Sequence, residues 1–374
     1  MFQKMFMTFA VFSFLFFLFT SQSFAQVPTQ AATLYVKGTV STILQEKTIS
    51  TGQMQSPSQK VSVQILEGTD KGKNITIDYG SSFAITPAQK VQVGTTVILS
   101  RTVVQGKTMY QIVDKYRLTP LLLILVFFFL FVIALSGKKG VGAVLGLFVS
   151  LAVLVLFIVP QILGGNDPLF ISIIGSIGIM ITTIYLAHGI SQQTTVAVGS
   201  TAISLVITGV IGWFFISVIH LAGLGSEDIF TLQQSFGNAI NYQGLLLGGI
   251  IIGALGALDD VTTTQAATIY TLAKADPKAS MQTLISHGFT IGKEHIASLV
   301  NTLVLAYAGA SIGIFFFLVI SQQNHIQPLW VILNSETLVE EIVRTIAGSI
   351  GLILAVPLTT VIAAFFAKYD LKIH

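Results

Sequence analysis

The sequence predicts an α-helical polytopic membrane bundle of about seven transmembrane helices, preceded by a small all-β, OB-like extracytoplasmic domain. Three observations predict it. Hydrophobic residues make up 53% of the chain and charged residues only 9%, where a soluble domain carries roughly a quarter charged. From residue 118 onward, apolar runs of about 20 residues succeed one another, the length that crosses a hydrocarbon core of about 30 Å. Before that, short alternating or β-branched segments are punctuated by glycine, which is strand and turn patterning. The net charge of +3 comes from scattered lysines rather than a basic block, so no nucleic-acid partner is expected. With no cysteine, a disulfide framework, a thiolate nucleophile and a cysteine metal site are excluded.

Residues 1–25 read as a secretory signal. Lys4 gives a positive start, Met5 to Phe19 a short Phe-rich apolar run, and Ser23-Phe24-Ala25 a small-x-small cleavage site. The alternative is an uncleaved first anchor, and both versions place residues 26–117 outside the cytoplasm. Those residues form the β-domain, with strands expected at 34–40, 61–66, 74–78, 95–99 and 109–113. Gly68, Gly72, Gly80, Gly94 and Gly106 punctuate them. The expected barrel lacks the basic, aromatic-rich face of an oligonucleotide binder, and a packing or docking module is expected rather than a ligand-binding domain.

The transmembrane region, 118–367, is expected to hold spans near 119–136, 141–162, 169–188, 195–222, 243–259, 296–320 and 343–367, followed by a cytoplasmic tail, 368–374. Gly137-Lys138-Lys139-Gly140 leaves room only for a tight turn. Lysine bias orients the bundle. With the β-domain outside, Lys138, Lys139, Lys274, Lys278, Lys293, Lys368 and Lys372 fall on the cytoplasmic side, and the outer loops are acidic or neutral. Two loop segments look helical. Ser226 caps a helix over 229–239, and Asp276-Pro277 begins one that stops near His287-Gly288. Residues 262–275 are expected to form a separate helix at the inner interface or re-entering the bundle. Small-xxx-small pairs such as Gly244/Gly248 and Gly249/Gly253 allow close helix approach.

Polar groups on apolar spans cost several kcal/mol unless satisfied, so they are where function is sought. Asp259 and Asp260 head the candidates, with Thr263 and Gln265 as supporting ligands of an ion or solute path. Adjacent residues point about 100° apart on a helix, so both carboxylates share a pocket only if the helix breaks there. Two readings stand side by side: a cation or proton site, or a cap in which Asp260 starts the following helix and Asp259 faces water. Asn301 and Thr302 lie deeper on the sixth span and complete the path if the bundle brings Asp260 beside Asn301. Glu294 and His295 are candidates for a proton relay, although a first-turn acid and an interfacial histidine are the plainer explanations. Pro357 sits mid-helix before Thr359 and Thr360, a kink for packing or gating. Glu340, Glu341 and Arg344 have the spacing of an ion pair at a span boundary, which needs no function. His188 and His220 read as interfacial.

Gly309-Ala310-Ser311-Ile312-Gly313 matches G-x-S-x-G by letter but lies in an apolar helix, where a strand-to-helix elbow is required. No H-E-x-x-H, P-loop or dinucleotide fingerprint occurs. No enzyme activity and no cofactor are therefore expected.

Three stretches resemble the YibE/F family of bacterial membrane proteins. They are Leu258-Asp259-Asp260-Val261-Thr-Thr-Thr-Gln265-Ala266, Gly292-Lys293-Glu294-His295-Ile296-Ala297 running on through Asn301-Thr302-Leu303 to Ala310, and Glu341-Ile-Val-Arg344 through Gly348 and Gly351 to Val356-Pro357-Leu358-Thr359-Thr360. Val63-Gln-Ile-Leu66-Glu-Gly68 and Lys71-Gly72-Lys73 also resemble the family's N-terminal region. Where the family often has Arg-Asp this chain has Lys293-Glu294, and where it often has Leu-Pro this chain has Ile312-Gly313, which removes an expected proline kink. The resemblance implies a multi-pass protein of the cytoplasmic membrane with a permease role. The expected partners are the lipid bilayer and either a second copy of the chain or an envelope protein. The rival expectation is a non-transporting scaffold whose β-domain recruits that envelope partner.

Overall fold

The structure is a computed structural model that describes residues 34–51, 54–104, 107–324 and 326–373. The expected signal segment, 1–25, lies outside the described residues. The chain divides between Phe131 and Val132 into two compact units.

The first unit is built on five antiparallel strands: β1 Leu34–Thr51, β2 Met54–Ile65, β3 Asn74–Tyr79, β4 Thr96–Val104 and β5 Lys107–Lys115. Their order in the sheet is β3-β2-β1-β4-β5. All five expected strands are present, with β1 and β2 running on into a long hairpin. Alternation places Val61, Val63, Ile65, Val97, Leu99 and Ile112 on one buried face. Register shifts at Val40/Thr42, Ile43/Gln45 and Ile98/Leu99 bend the strands. The edge strands β3 and β5 approach one another, yet no ladder pairs them among the described residues, so the sheet is a half-barrel. Asp70, in the β2–β3 turn, accepts from Lys73 Nζ and Tyr110 Oη, both at 2.6 Å. The hydrogen bond from Lys73, then that from Tyr110, holds its carboxyl below the usual carboxylate range.

The helices run in the order α1 Leu118–Val153, α2 Val159–Leu163, α3 Pro168–His188, α4 Gln192–Ile219, α5 Glu227–Phe236, α6 Tyr242–Ala275, α7 Met281–Ala310, α8 Ile312–Gln323, α9 Leu329–Leu333 and α10 Glu336–Ile373. Among the described residues, five stretches are long and apolar enough to cross a membrane, or six if α7 and α8, bent by 67°, make one span. That count takes Leu118–Leu163 as one stretch. It is broken at Gly137, whose φ of 56° and ψ of −132° suit glycine and not an L side chain, at the start of the expected tight turn. Between α1 and α2, Leu154–Ile158 widens to a π-helical turn just ahead of Pro160. Proline lacks an N–H and its ring crowds the carbonyl four residues back, and the wider turn accommodates both.

The second unit has a three-helix centre of α4, α6 and α10, with α3 laid on α6 and α7 laid chiefly on α10. Small residues set the close approaches. A Cβ at Gly212 would meet Leu247, one at Gly351 would meet Thr208, and one at Gly248 would meet Ser172. Asp167 and Ser191 cap α3 and α4, accepting from Phe170 N and Thr194 N. Ser226 caps α5 as expected, accepting from Ile229 N.

Three expectations about the helices are corrected. The fifth span does not end at Asp259: α6 is one helix of 34 residues that absorbs the segment expected at 262–275. Asp and Thr are weak helix formers, but packing against α4 and α10 overrides propensity. No helix begins at Asp276-Pro277 and stops at His287-Gly288. Ser280 is the cap, accepting from Thr283 N at 3.0 Å, and α7 runs unbroken to Ala310. Gly288 is not a stop signal but a contact point, since a Cβ there would meet Ile269 and Thr360. Ser311 does not lie within a helix but at the bend between α7 and α8, which exists without the proline that the resemblance leads one to look for. The last helix continues to Ile373, so the segment expected as a tail is helical that far.

Adding a methyl group at the tightest α4–α10 crossing gives a direct check on this packing. Gly351→Ala is expected to destabilise the purified protein by about 1–3 kcal/mol, seen as a lower thermal midpoint in detergent. Thr208→Ala in the same chain should restore part of the loss, because the crowding atoms belong to Thr208.

Candidate functional site

Because α6 does not break, its adjacent carboxylates meet different surroundings. Asp259 is partly buried against α3, where Thr183 Oγ1 stands 3.4 Å from its Oδ2. Thr183 precedes the end of α3 at His188 by about 7.5 Å at 1.5 Å per residue, so the carboxylate lies between one and two turns in from that end. Asp260 points about a quarter-turn away and is exposed, with no side-chain hydrogen bond among the described residues. Neither residue caps a helix.

The next turn of α6 is a set of clamps. Thr262 and Thr263 return hydroxyls to Asp259 O at 3.3 and 2.8 Å, the ordinary fate of Thr in an apolar helix. Thr262 also meets Thr201 of α4 at 2.5 Å, hydroxyl to hydroxyl. Gln265 is 1% exposed and donates from Nε2 to Gly288 O at 2.9 Å and to Thr360 Oγ1 at 2.7 Å. It ties α6 to α7 and α10 at once.

The remaining expected residues are not gathered here. Asn301 is exposed and makes no hydrogen bond among the described residues, so Asp260 and Asn301 are not brought together by one. Thr302 is exposed and donates back to Ser298 O at 2.9 Å. Glu294 and His295 lie mid-way along α7 rather than at a helix start, Glu294 exposed and His295 half-buried. Pro357 lies inside α10, one turn before the Gln265–Thr360 contact.

A second polar site stands at the opposite end of α6. A cleft of about 350 Å³ is lined by Gly225 and Ser226 from the α4–α5 connection, by Ala310, Ser311, Gly313 and Ile314 around the α7–α8 bend, and by Thr337, Glu340, Glu341 and Arg344 from α10. By spacing alone its charged residues make an ordinary ion pair. The pair exists but is loose, Arg344 Nε to Glu341 Oε1 at 3.6 Å. Glu340 is only 5% exposed and takes the N–H of Gly225 at 2.9 Å. Arg344 reaches along α6 until a Cβ at Gly249 would lie 3.6 Å from its Nη1, and one turn on, a Cβ at Gly253 would lie 3.2 Å from Tyr307 Oη. A Cβ at Gly256 would meet nothing within 4 Å. Gly249, Gly253, Gly256 and Asp260 recur at three- and four-residue steps and so share one face of α6, running from the cleft to the free carboxylate.

Sequence reasoning missed Thr183, Thr201 and Glu336. The Glu336 carboxylate is gripped through Oε1 by the N–H groups of Ala222, Gly223 and Leu224 at 2.6, 2.8 and 3.3 Å. The turn that presents them comes after a left-handed His220 (φ 59°) and contains Gly223 at φ 82°. The His220–Gly225 stretch, rich in small residues after a span, was the available signal for an anion-binding turn.

Residues 124–369 match the family profile described as YibE/F-like protein. No curated protein and no solved structure matches the chain.

The matched stretch includes Glu336, whose role is open to measurement. Glu336→Ala leaves three backbone donors unpaired and is expected to cost about 1–3 kcal/mol in thermal unfolding of the purified protein. Glu336→Gln, which keeps an accepting oxygen, should lose distinctly less.

Proposed function

The chain belongs to the YibE/F-like family, and on that premise we propose that its helical region is a permease of the cytoplasmic membrane, moving a small ion or solute along α6. Counting the break at Gly137 as a hairpin, and α7 with α8 as one bent span, gives seven crossings. The lysines at 138, 139, 274, 278, 293 and 368 then lie on the cytoplasmic side, and the OB-like half-barrel lies outside.

One observation carries this reading: the face of α6 that bears Gly249, Gly253, Gly256 and Asp260, with Arg344 and Tyr307 standing over its first half and open space beside Gly256. A carboxylate within an apolar helix is expensive unless water, a partner or a cation reaches it. Asp260 has no hydrogen-bonding partner among the described residues, so hydration or a passing cation is what offsets its cost. Asp259, turned toward Thr183, holds a second negative charge behind it and makes the spot more attractive to cations. The clamps at Thr262 and Gln265 keep this part of α6 rigid, so the carboxylates stay at a fixed depth.

Two variants test the path without touching the packing. Asp260→Asn removes the charge, and Gly256→Leu fills the open space beside the helix. In proteoliposomes or in cells challenged with metal ions and acid, each should lower uptake or tolerance at least tenfold at unchanged protein level. Wild-type behaviour in both would sink the permease. If removing residues 34–115 alone abolished the cellular phenotype, a scaffold recruiting an envelope partner would take its place.

A further inference from the structure

We propose that the cleft between the α7–α8 bend and the start of α10 binds a small zwitterion, an ammonium and a carboxylate on one short carbon frame of amino-acid size. The proposal deepens the permease reading, and rests on it for the claim that the zwitterion is cargo.

The chemistry of the lining selects the ligand. Arg344 forms no hydrogen bond among the described residues, and its Nε is a buried atom without a hydrogen-bond partner. Its contact with Glu341, at 3.6 Å, is an ion pair too long for a hydrogen bond. A guanidinium presents five donors in a planar fork that suits a carboxylate through two parallel bonds. Beside it, the 5%-exposed Glu340 has one oxygen engaged by Gly225 N and its other oxygen without a hydrogen bond among the described residues. A carboxylate in that position receives an ammonium. Glu340 and Arg344 are four residues apart on α10, one turn of helix, so the two charges face the cleft at a spacing of about 5–6 Å between Cβ atoms.

Other ligands satisfy only half of this arrangement. A simple cation would leave the guanidinium's hydrogen-bond donors unused, with only its loose ion pair to Glu341. A simple anion would meet Glu340 and Glu341. Among the described residues no group of three or more His, Cys, Asp or Glu could hold a metal ion. A zwitterion meets the remaining oxygen of Glu340 and the donor fork of Arg344 together, adds no net charge, and leaves the Glu341 ion pair in place. The walls between them are Gly225, Ala310 and Gly313, and the 350 Å³ cleft leaves room for a short side chain and water.

The test uses the purified full chain in detergent and ranks four probes by calorimetry: glycine, L-alanine, ethylamine and propionate. Glycine and L-alanine should bind at least tenfold more tightly than the amine or the acid alone. Glu340→Gln should bring L-alanine and propionate to equal affinity, and Arg344→Gln should do the same for L-alanine and ethylamine. The wild-type ranking needs no variant, so it decides the matter even if a variant fails to fold. No preference for the zwitterions, or Zn²⁺ bound more tightly than either of them, would overturn the proposal. Radiolabelled L-alanine uptake into proteoliposomes separates the two readings. Binding without uptake keeps the site and removes the zwitterion as cargo, whereas transport of other solutes without zwitterion binding removes the site and keeps the permease.

Discussion

The second unit depends on one constraint: polar groups carried on apolar helices must find partners among themselves. α6 shows how it is met. If the helix ended at its carboxylates, four carbonyls and then four N–H groups would need caps in the middle of the bundle. Continuing the helix removes that demand and leaves only side chains to satisfy. Thr262 turns to Thr201 on α4, and Gln265 turns to Gly288 and Thr360 on α7 and α10. The polar stretch that resembles a helix boundary in sequence is thereby the place where four helices are cross-linked.

Glycine serves two opposite purposes on these helices. At Gly288, Gly292 and Gly351 the missing side chain lets a neighbour fill the space, with Ile269, Val356 and Thr208 respectively where a Cβ would be. These are contacts between packed helices, worth their close dispersion interactions. At Gly249, Gly253 and Gly256 the space is left to long polar side chains or to nothing. The first kind makes α4, α6, α7 and α10 a rigid frame. The second leaves one face of α6 without packed apolar neighbours at these three positions, the face on which the permease reading rests.

Much of this is legible in the chain. The five strands, the turn at Gly137, the capped helix at Ser226 and the long apolar stretches emerge from periodicity and end signals. The boundaries at Asp260 and Gly288 mislead for one physical reason. Local signals for stopping a helix, such as a capping residue, proline or glycine, are worth about 1–3 kcal/mol each, and packing along the helices outweighs them at Asp260 and Gly288. The expected site shares that fate in part. Asp259, Asp260 and Gln265 are placed by α6 as one segment, whereas Asn301 belongs to α7, which packs chiefly on α10, and makes no hydrogen bond to Asp260 among the described residues. The cleft at Arg344 is out of reach of sequence reasoning, since three separate segments build it and its ion pair reads as ordinary.

The carboxylates of the second unit differ most in how completely each is satisfied, and that ordering assigns their work. Glu336 takes three backbone N–H groups and locks the turn after α4 onto α10. Such a group is structural, because any ligand would have to displace bonds already made. Glu340 takes one, Asp259 has a single long contact to Thr183, and Asp260 has none among the described residues. Charges left under-satisfied inside an apolar frame are costly to keep and are the ones a cation or an ammonium can reach without breaking anything. They stand at the two ends of the glycine face, Glu340 with Arg344 at one and Asp260 at the other. On the permease reading, a solute held on α10 at the first and a cation drawn to α6 at the second would both sit at depths fixed by the packing of these two long helices against each other.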